Sequence, residues 1–261
     1  CFQLIDIFNI IEDKSLSEEQ KRAKIIEYQK SLTQEGKGIL IDSERKNGQC
    51  KKNGYFVFGD VDVMSYEDLV KTKQYVDNNL TSFTCEAEMK MTALLGGYDK
   101  GKHEIIYRFG MADKVYDYAI SHGKAMRGHT LVWHNHQPKA LDDYIQDHYN
   151  GNMEDDKTNN PEQFRSKRKE LTKSFLAEYM KNVGERYPNC YCWDVINEIV
   201  PDVHTPKPSE KERNDGLRHS KWFEYLGKDF YIEVLEIAKD FSEEHNYPFI
   251  GTEHILYGLI A

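Results

Sequence analysis

The stretch YCWDVINE, at residues 191–198, gives the first indication of the fold. It is a short, largely apolar run that ends in an amide and a carboxylic acid, as a buried strand with polar side chains at its exit would. Parallel barrels carry their functional side chains at the carboxyl ends of their strands. An ordinary strand followed by a solvated glutamate would have the same pattern, so the interpretation depends on the rest of the chain.

Polar side chains also occur at the exits of two predicted strands upstream, at residues 82–85 and 124–134. The carboxyl ends of parallel strands share one rim, so we expect these side chains to meet. A tryptophan face, an amide, a cation, an imidazole and carboxylates on one rim are typical of a sugar-binding site. The candidate site residues are Glu86, Lys90, His129, Trp133, Asn197 and Glu198.

Each candidate has an ordinary structural explanation when it is considered alone. Trp133 could be a core residue, Lys90 a surface lysine and His129 a buried imidazole with its hydrogen bonds satisfied. Their occurrence together at successive strand exits favours the functional interpretation.

The order of the predicted elements indicates an α/β fold with a parallel sheet. Predicted strands at 55–59, 82–85, 124–134, 191–198 and 248–251 alternate with four predicted helices. The first starts at Ser65 and the second covers about residues 112–122; the third carries an apolar stripe at Leu171, Phe175, Tyr179 and Val183, and the fourth a stripe from Phe223 to Phe241. Such alternation is typical of βαβ units. A (β/α)₈ TIM barrel needs eight strands. We therefore expect an incomplete barrel of about five βα units over residues 53–261, with an open sheet as the alternative.

Two other segments are predicted to lie outside this pattern. Residues 1–52 form an N-terminal extension, in which Ser17 and Gln20 make a capping box at a helix start and residues 35–52 form a charged, glycine-rich linker. Residues 148–162, rich in Asn, Asp and Gly, are predicted to be a long surface loop.

Composition excludes several classes of partner. The net charge of -9 argues against a nucleic-acid or anionic-membrane binder. No apolar run approaches the roughly 18 residues that a membrane span requires. The five cysteines lack the spacing of a zinc site, and we expect mostly structural thiols with at most one disulfide. We expect no metal or organic cofactor.

Two motifs resemble those of glycoside hydrolase family 10, the endo-1,4-β-xylanases. They are GHTLVWH at residues 128–134, with Pro138 beyond it, and WDVINE at residues 193–198. The segment EAEMK at residues 86–90 is similar to the family's Glu-Asn-x-Met-Lys, and residues 216–220 and 226–227 look like the stretch after its acid/base strand. The resemblance covers about Tyr55 to Tyr257.

The resemblance implies a (β/α)₈ barrel that hydrolyses internal β-1,4-xylosidic bonds of xylan with retention. Glu198 corresponds to the general acid/base, and Asn197 to the residue that holds the 2-hydroxyl of the sugar under attack. The resemblance further implies glycone ligands at Glu86 and Lys90, and walls beside the scissile bond at His129 and Trp133. We expect a monomer acting on xylan or xylo-oligosaccharides. Secretion is expected because a polymer cannot enter a cell.

The chain departs from the family pattern at several positions. The family has Asn at Ala87, Gln at His136 and Trp at Ala140. Retention also needs a second carboxylate as nucleophile, about 5 to 5.5 Å from the acid/base. Glu253 is the candidate, but it follows Glu198 by only one predicted helix, which fits strand five better than strand seven. We therefore expect the nucleophile and strands six to eight to be absent from this chain.

Two alternatives to a xylanase follow from these departures. The first is a non-catalytic, xylan-binding or degenerate barrel fragment, which absent strands favour and an intact Asn197-Glu198 pair opposes. The second is another retaining hydrolase on the same barrel, such as a cellulase. A cellulase would share the Asn-Glu pair but not the run from His129 to His134.

Overall fold

The computed structural model describes residues 15–17, 20–21, 23–24, 49–52, 55–58, 61–79, 82–201 and 208–244. The predicted fifth strand and Glu253 lie outside these residues. The predicted capping box is confirmed, because the Gln20 N–H donates to Ser17 Oγ over 3.3 Å and the Ser17 N–H donates to Gln20 Oε1 over 2.8 Å.

Strands and helices alternate along most of the described chain. The strands are β1 (Gln49–Lys52), β2 (Tyr55–Phe58), β3 (Val61–Met64), β4 (Ser82–Cys85), β5 (Leu95–Asp99), β6 (Glu104–Tyr107), β7 (Ala125–Trp133) and β8 (Cys190–Asn197). The helices are α1 (Tyr66–Asn79), α2 (Met91–Leu94), α3 (Gly110–Ser121), α4 (Lys139–His148), α5 (Met153–Asn159), α6 (Pro161–Arg186), α7 (Glu210–Asp215), α8 (Lys221–Leu226) and α9 (Phe230–Glu244).

The main sheet is parallel and its strands follow chain order, β3-β4-β7-β8. Helices join the successive strands, as in βαβ units. Because all four strands run in one direction, their carboxyl ends lie at one edge, which we call the rim. The sheet is open within the described residues. The predicted second, third and fourth strands are confirmed.

The predicted first strand of the parallel sheet is wrong. Tyr55–Phe58 does form a strand, but it pairs antiparallel with Gln49–Lys52, in the segment predicted to be a linker. The first parallel strand is Val61–Met64, which pairs with Ser82–Cys85. Both stretches have β-forming side chains, and only long-range pairing distinguishes a hairpin strand from a sheet strand.

Most apolar side chains of the predicted helices are buried, with exceptions that include Val70 in α1 and Leu171 in α6. Leu69 and Val76 of α1 are buried, whereas Val70 is 59% exposed. In α6 the predicted stripe contributes three fully buried side chains, and Leu171 is only partly buried. The fully buried α6 residues are Phe175, Tyr179 and Val183.

Two predicted segments are divided differently in the structure. The loop predicted at residues 148–162 contains helix α5, because the Asn152 side chain caps its N-terminus and Pro161 starts the next helix. The helix predicted near residues 223–241 is two helices, because Gly227 ends α8 with a positive φ of 94°. The β5-β6 hairpin and helix α4 were not predicted. Asn and Asp favour both turns and helix N-caps, so the Asn- and Asp-rich composition of residues 148–162 does not distinguish a loop from the start of a helix.

A close approach between β7 and β8 depends on Gly128. A Cβ atom there would lie 2.1 Å from the Trp193 ring. The Trp193 indole occupies the space that a side chain would need, so the glycine lets this large ring pack against the neighbouring strand.

Candidate active site

The rim brings Trp133 and Glu198 together. Trp133 and Asn197, the last residues of β7 and β8, are paired in register, and Glu198 follows directly. The Trp133 indole Nε1 donates to Glu198 Oε2 over 2.8 Å. His134 Nδ1 lies 3.5 Å from the same oxygen. The Glu198 side chain is 45% exposed, so its other oxygen can meet a ligand at the rim.

The backbone of Glu198 has an uncommon conformation that Arg218 supports. Glu198 has a positive φ of 54°, which costs energy for a residue with a side chain. Arg218 lies after α7 and donates from Nε to the Glu198 carbonyl over 3.1 Å and from Nη2 to the Val200 carbonyl over 3.2 Å. Its backbone N–H donates to the Ile199 carbonyl over 2.7 Å. Three consecutive carbonyls are therefore held by one arginine.

The backbone of Trp133 has an anchor of its own. The indole N–H of Trp222, a buried residue of α8, donates to the Trp133 carbonyl over 3.0 Å. Helix α8 and the turn before it thus support the exits of both β7 and β8.

Lys90 and His136 contact the Trp133 ring. Lys90 Nζ lies 4.5 Å from the ring centroid, a cation–π distance. The His136 imidazole stacks on the indole with centroids 4.8 Å apart and planes 12° apart. The Thr92 hydroxyl is hydrogen-bonded to His136 Nδ1, and the His136 backbone N–H donates to the Trp133 carbonyl over 3.2 Å.

His129 belongs to a hydrogen-bond network around the buried Asp194, beneath the rim. Its Nδ1 donates to Asp194 Oδ2 over 2.8 Å, and Arg127 Nη2 donates to both Asp194 oxygens over 2.8 and 2.6 Å. The Thr130 hydroxyl donates to the Asp194 carbonyl over 2.7 Å, and the peptide bond between His129 and Thr130 is cis. Burial raises the pKa of Asp194, but His129 and Arg127 outweigh it and hold the pKa below its ordinary value of 3.8.

The structure assembles some of the predicted site residues more closely than others. Glu198, Trp133 and Lys90 form a chain of direct contacts, and Asn197 is paired with Trp133 in register. Glu86 follows β4 at the rim and is exposed, but among the described residues it has no hydrogen bond to the others. Glu253 lies outside the described residues.

Three residues that sequence reasoning did not select support the site: Asp194, Arg218 and Trp222. Asp194 lies within residues 191–198, and its signal is a charged residue within an otherwise apolar strand. Arg127 and His129 are two residues apart and so lie on one face of β7, which is the matching signal. Arg218 lies in residues 216–220, and the resemblance of that segment to the family's stretch after the acid/base strand is its signal. Trp222 gave no comparable signal, because its partner is a backbone carbonyl.

The described part of the chain shows neither a metal-binding cluster nor a membrane-spanning helix. No group of three or more His, Cys, Asp and Glu side chains there is arranged to hold a metal ion. None of the helices described has the length and apolar composition to cross a membrane. Cys85, Cys190 and Cys192 are buried free thiols.

Comparison with known sequences assigns the chain to a family. A sequence model of glycosyl hydrolase family 10 matches residues 47–247. The chain belongs to this family. Its matched segment contains the rim, Arg218 and Trp222, but not Glu253.

Individual proteins have sequences or structures similar to this chain. Endo-1,4-beta-xylanase A of Thermotoga neapolitana is 35% identical over 170 residues, 65% of this chain and 13% of that protein. A mutant solved in complex with xylotriose is 29% identical with a TM-score of 0.51, covering 70% of this chain and 46% of that chain. Xylanase B of Clostridium stercorarium has a TM-score of 0.55 at 20% identity, covering 77% and 56%, which is a likeness of fold alone.

The matches extend over only part of each relative. The chain spans between 10% and 47% of the length of the curated relatives considered. The family membership therefore applies to this segment, and the activity of the whole protein is a matter for proposal.

Proposed function

We propose that this protein is a retaining endo-1,4-β-xylanase in which Glu198 is the general acid/base. The observation that carries the proposal is the position of Glu198, half exposed after β8, with one oxygen bonded to the Trp133 N–H over 2.8 Å. A general acid must reach the leaving oxygen of the substrate, and the accessible second oxygen of Glu198 meets that condition. Family membership and the similarity to a protein solved with xylotriose favour xylan as substrate.

In this mechanism Glu198 protonates the oxygen of the leaving sugar and later removes a proton from the attacking water. Asn197, beside it, holds the 2-hydroxyl of the sugar whose bond is broken, a contact that strengthens in the transition state. Trp133 and His129 flank that sugar, while Glu86 and Lys90 bind the glycone. Because Glu86 is exposed, its carboxylate is able to accept hydrogen bonds from sugar hydroxyls.

The retaining reaction also needs a nucleophilic carboxylate, which attacks the anomeric carbon and forms the glycosyl-enzyme. Glu253 is a candidate on its sequence alone. We further propose that β3, β4, β7 and β8 belong to a (β/α)₈ barrel that includes residues 53–261, with residues 1–52 as an extension. The barrel would act as a secreted monomer on its polymeric substrate.

The test is the variant Glu198→Gln in the natural protein, assayed for release of reducing sugar from xylan. Glutamine keeps the size of the side chain but cannot transfer a proton, so we expect activity to fall about 10²- to 10⁴-fold. The matched control is Glu170→Gln, an exposed glutamate of α6. An inactive parent protein, or a Glu198→Gln variant with full activity, would reject the proposal. Retention of xylan binding without hydrolysis would instead support a sugar-binding protein.

A further inference from the structure

We propose that His136 is a positioning residue, which holds the Trp133 indole in the plane that directs its N–H to Glu198. This inference rests on the proposed role of Glu198 as acid/base. The Gln that the family pattern has at this position has no ring, so it could not stack in the same way.

The hydrogen bond between Trp133 and Glu198 orients the proposed acid/base. A single indole N–H determines which Glu198 oxygen is occupied and which is left for the substrate. The indole can rotate about its side-chain bonds, and rotation would move the N–H away from the carboxylate. The position of the acid/base therefore depends on whatever fixes the indole plane.

His136 lies where it can fix that plane. Its ring is within 12° of parallel to the indole, at a centroid distance of 4.8 Å. The hydrogen bond between the Thr92 hydroxyl and Nδ1 holds the ring, and the His136 backbone N–H, bonded to the Trp133 carbonyl, fixes the main chain that carries it. Thr92 lies in α2, which directly follows Lys90, so the segment that supplies the cation over the indole also supplies this anchor.

The protonation state of His136 suits a stacking role. Burial, the Lys90 ammonium and His129 all lower its pKa from the ordinary value of 6.5, which favours the neutral ring. A neutral imidazole can stack on the indole without competing electrostatically with Lys90 for the same aromatic ring.

The test compares two substrates that differ in their need for an acid. Xylo-oligosaccharides have a poor leaving group that must be protonated, whereas the dinitrophenolate of dinitrophenyl xylobioside leaves without taking a proton. For His136→Ala we expect kcat/KM to fall about 10- to 100-fold on the oligosaccharide. The activated glycoside should lose less than about 3-fold, because its bond breaks without general acid catalysis. His136→Phe, which keeps a flat ring, should restore most of the lost activity.

The matched control is His122→Ala. His122 stacks on Tyr118 with centroids 4.0 Å apart and planes 22° apart, but it lies at the end of α3, which leads into the start of β7 and so faces away from the rim. We expect this variant to have the parent activity on both substrates.

A nuclear magnetic resonance measurement separates this inference from the proposed function. The indole N–H signal of Trp133, assigned from its loss in Trp133→Phe, should shift in His136→Ala and stay in place in His122→Ala. This readout needs no activity, so it tests the inference even if the parent protein cleaves neither substrate. If His136→Ala folds poorly, Thr92→Val removes the anchor alone and should shift the same signal. Equal losses on both substrates, or an unmoved indole signal, would overturn the inference.

Discussion

Strand β8 carries two carboxylates with opposite environments. The Asp194 side chain is 4% exposed and is bonded to Arg127 and His129, whereas the Glu198 side chain is 45% exposed beyond the strand end. The Asp194 side chain bonds residues of the neighbouring strand β7, whereas Glu198 directly follows Asn197, the last residue of β8. The first carboxylate is saturated with donors and holds β7 to β8; the second keeps an oxygen for a ligand. Position along one strand thus separates a structural acid from a candidate catalytic acid.

The largest expected effect concerns the stability that Asp194 provides. Asp194→Ala removes the carboxylate that bonds both the Arg127 guanidinium and His129, at a site where the Arg127 side chain is only 15% exposed. Breaking a buried pair costs about 3 to 5 kcal/mol, so we expect the free energy of unfolding to fall by that amount. Urea denaturation measures it.

Glu198→Ala is the control for that measurement. An exposed side chain with one hydrogen bond should change the free energy of unfolding by less than about 1 kcal/mol. The comparison between the two acids fails if both substitutions destabilise the protein equally.

An intermediate effect should follow from loosening Glu198 without removing it. Arg218→Ala removes two guanidinium hydrogen bonds to the carbonyls of Glu198 and Val200. The left-handed backbone at Glu198 then loses part of its support, and we expect kcat/KM on xylan to fall about 10-fold through misplacement of the carboxyl. The control is Arg213→Ala, since Arg213 donates to the Pro208 carbonyl in the same segment. Equal activity of the two variants would show that the Arg218 contacts do not position the acid.

The smallest effect is the pH dependence of stability. The pKa of Asp194 in the folded protein lies below its ordinary value of 3.8. Its contribution to stability is therefore complete above about pH 4 and is lost as the pH falls through the lower, folded-state pKa. Asp194→Asn should remove this dependence and Glu198→Gln should retain it, as measured by urea denaturation at acidic pH. A parent protein with the same acid sensitivity as Asp194→Asn would contradict the expectation.

The sequence predicted much of the sheet and the types of residue at the rim. Period-two and helical patterns are local, and they located three of the parallel strands and most of the helices packed on them. The first parallel strand was missed, because Tyr55–Phe58 and Val61–Met64 both have strand-forming residues and only pairing distinguishes them. Periodicity alone predicted one continuous helix near residues 223–241, and in the structure Gly227 divides it into two.

Local sequence patterns predicted that Glu198 follows a buried strand and that Trp133 ends another. The contacts come from the folded chain: the Trp133 N–H meets Glu198, β7 supplies the donors to Asp194, and Arg218 holds the Glu198 backbone. The Trp133–Glu198 bond joins residues 65 positions apart. Side-chain directions at such distances follow from the register of β7 against β8 and from packing around the indole. Neither the strand register nor the packing around the indole can be derived from a local sequence pattern.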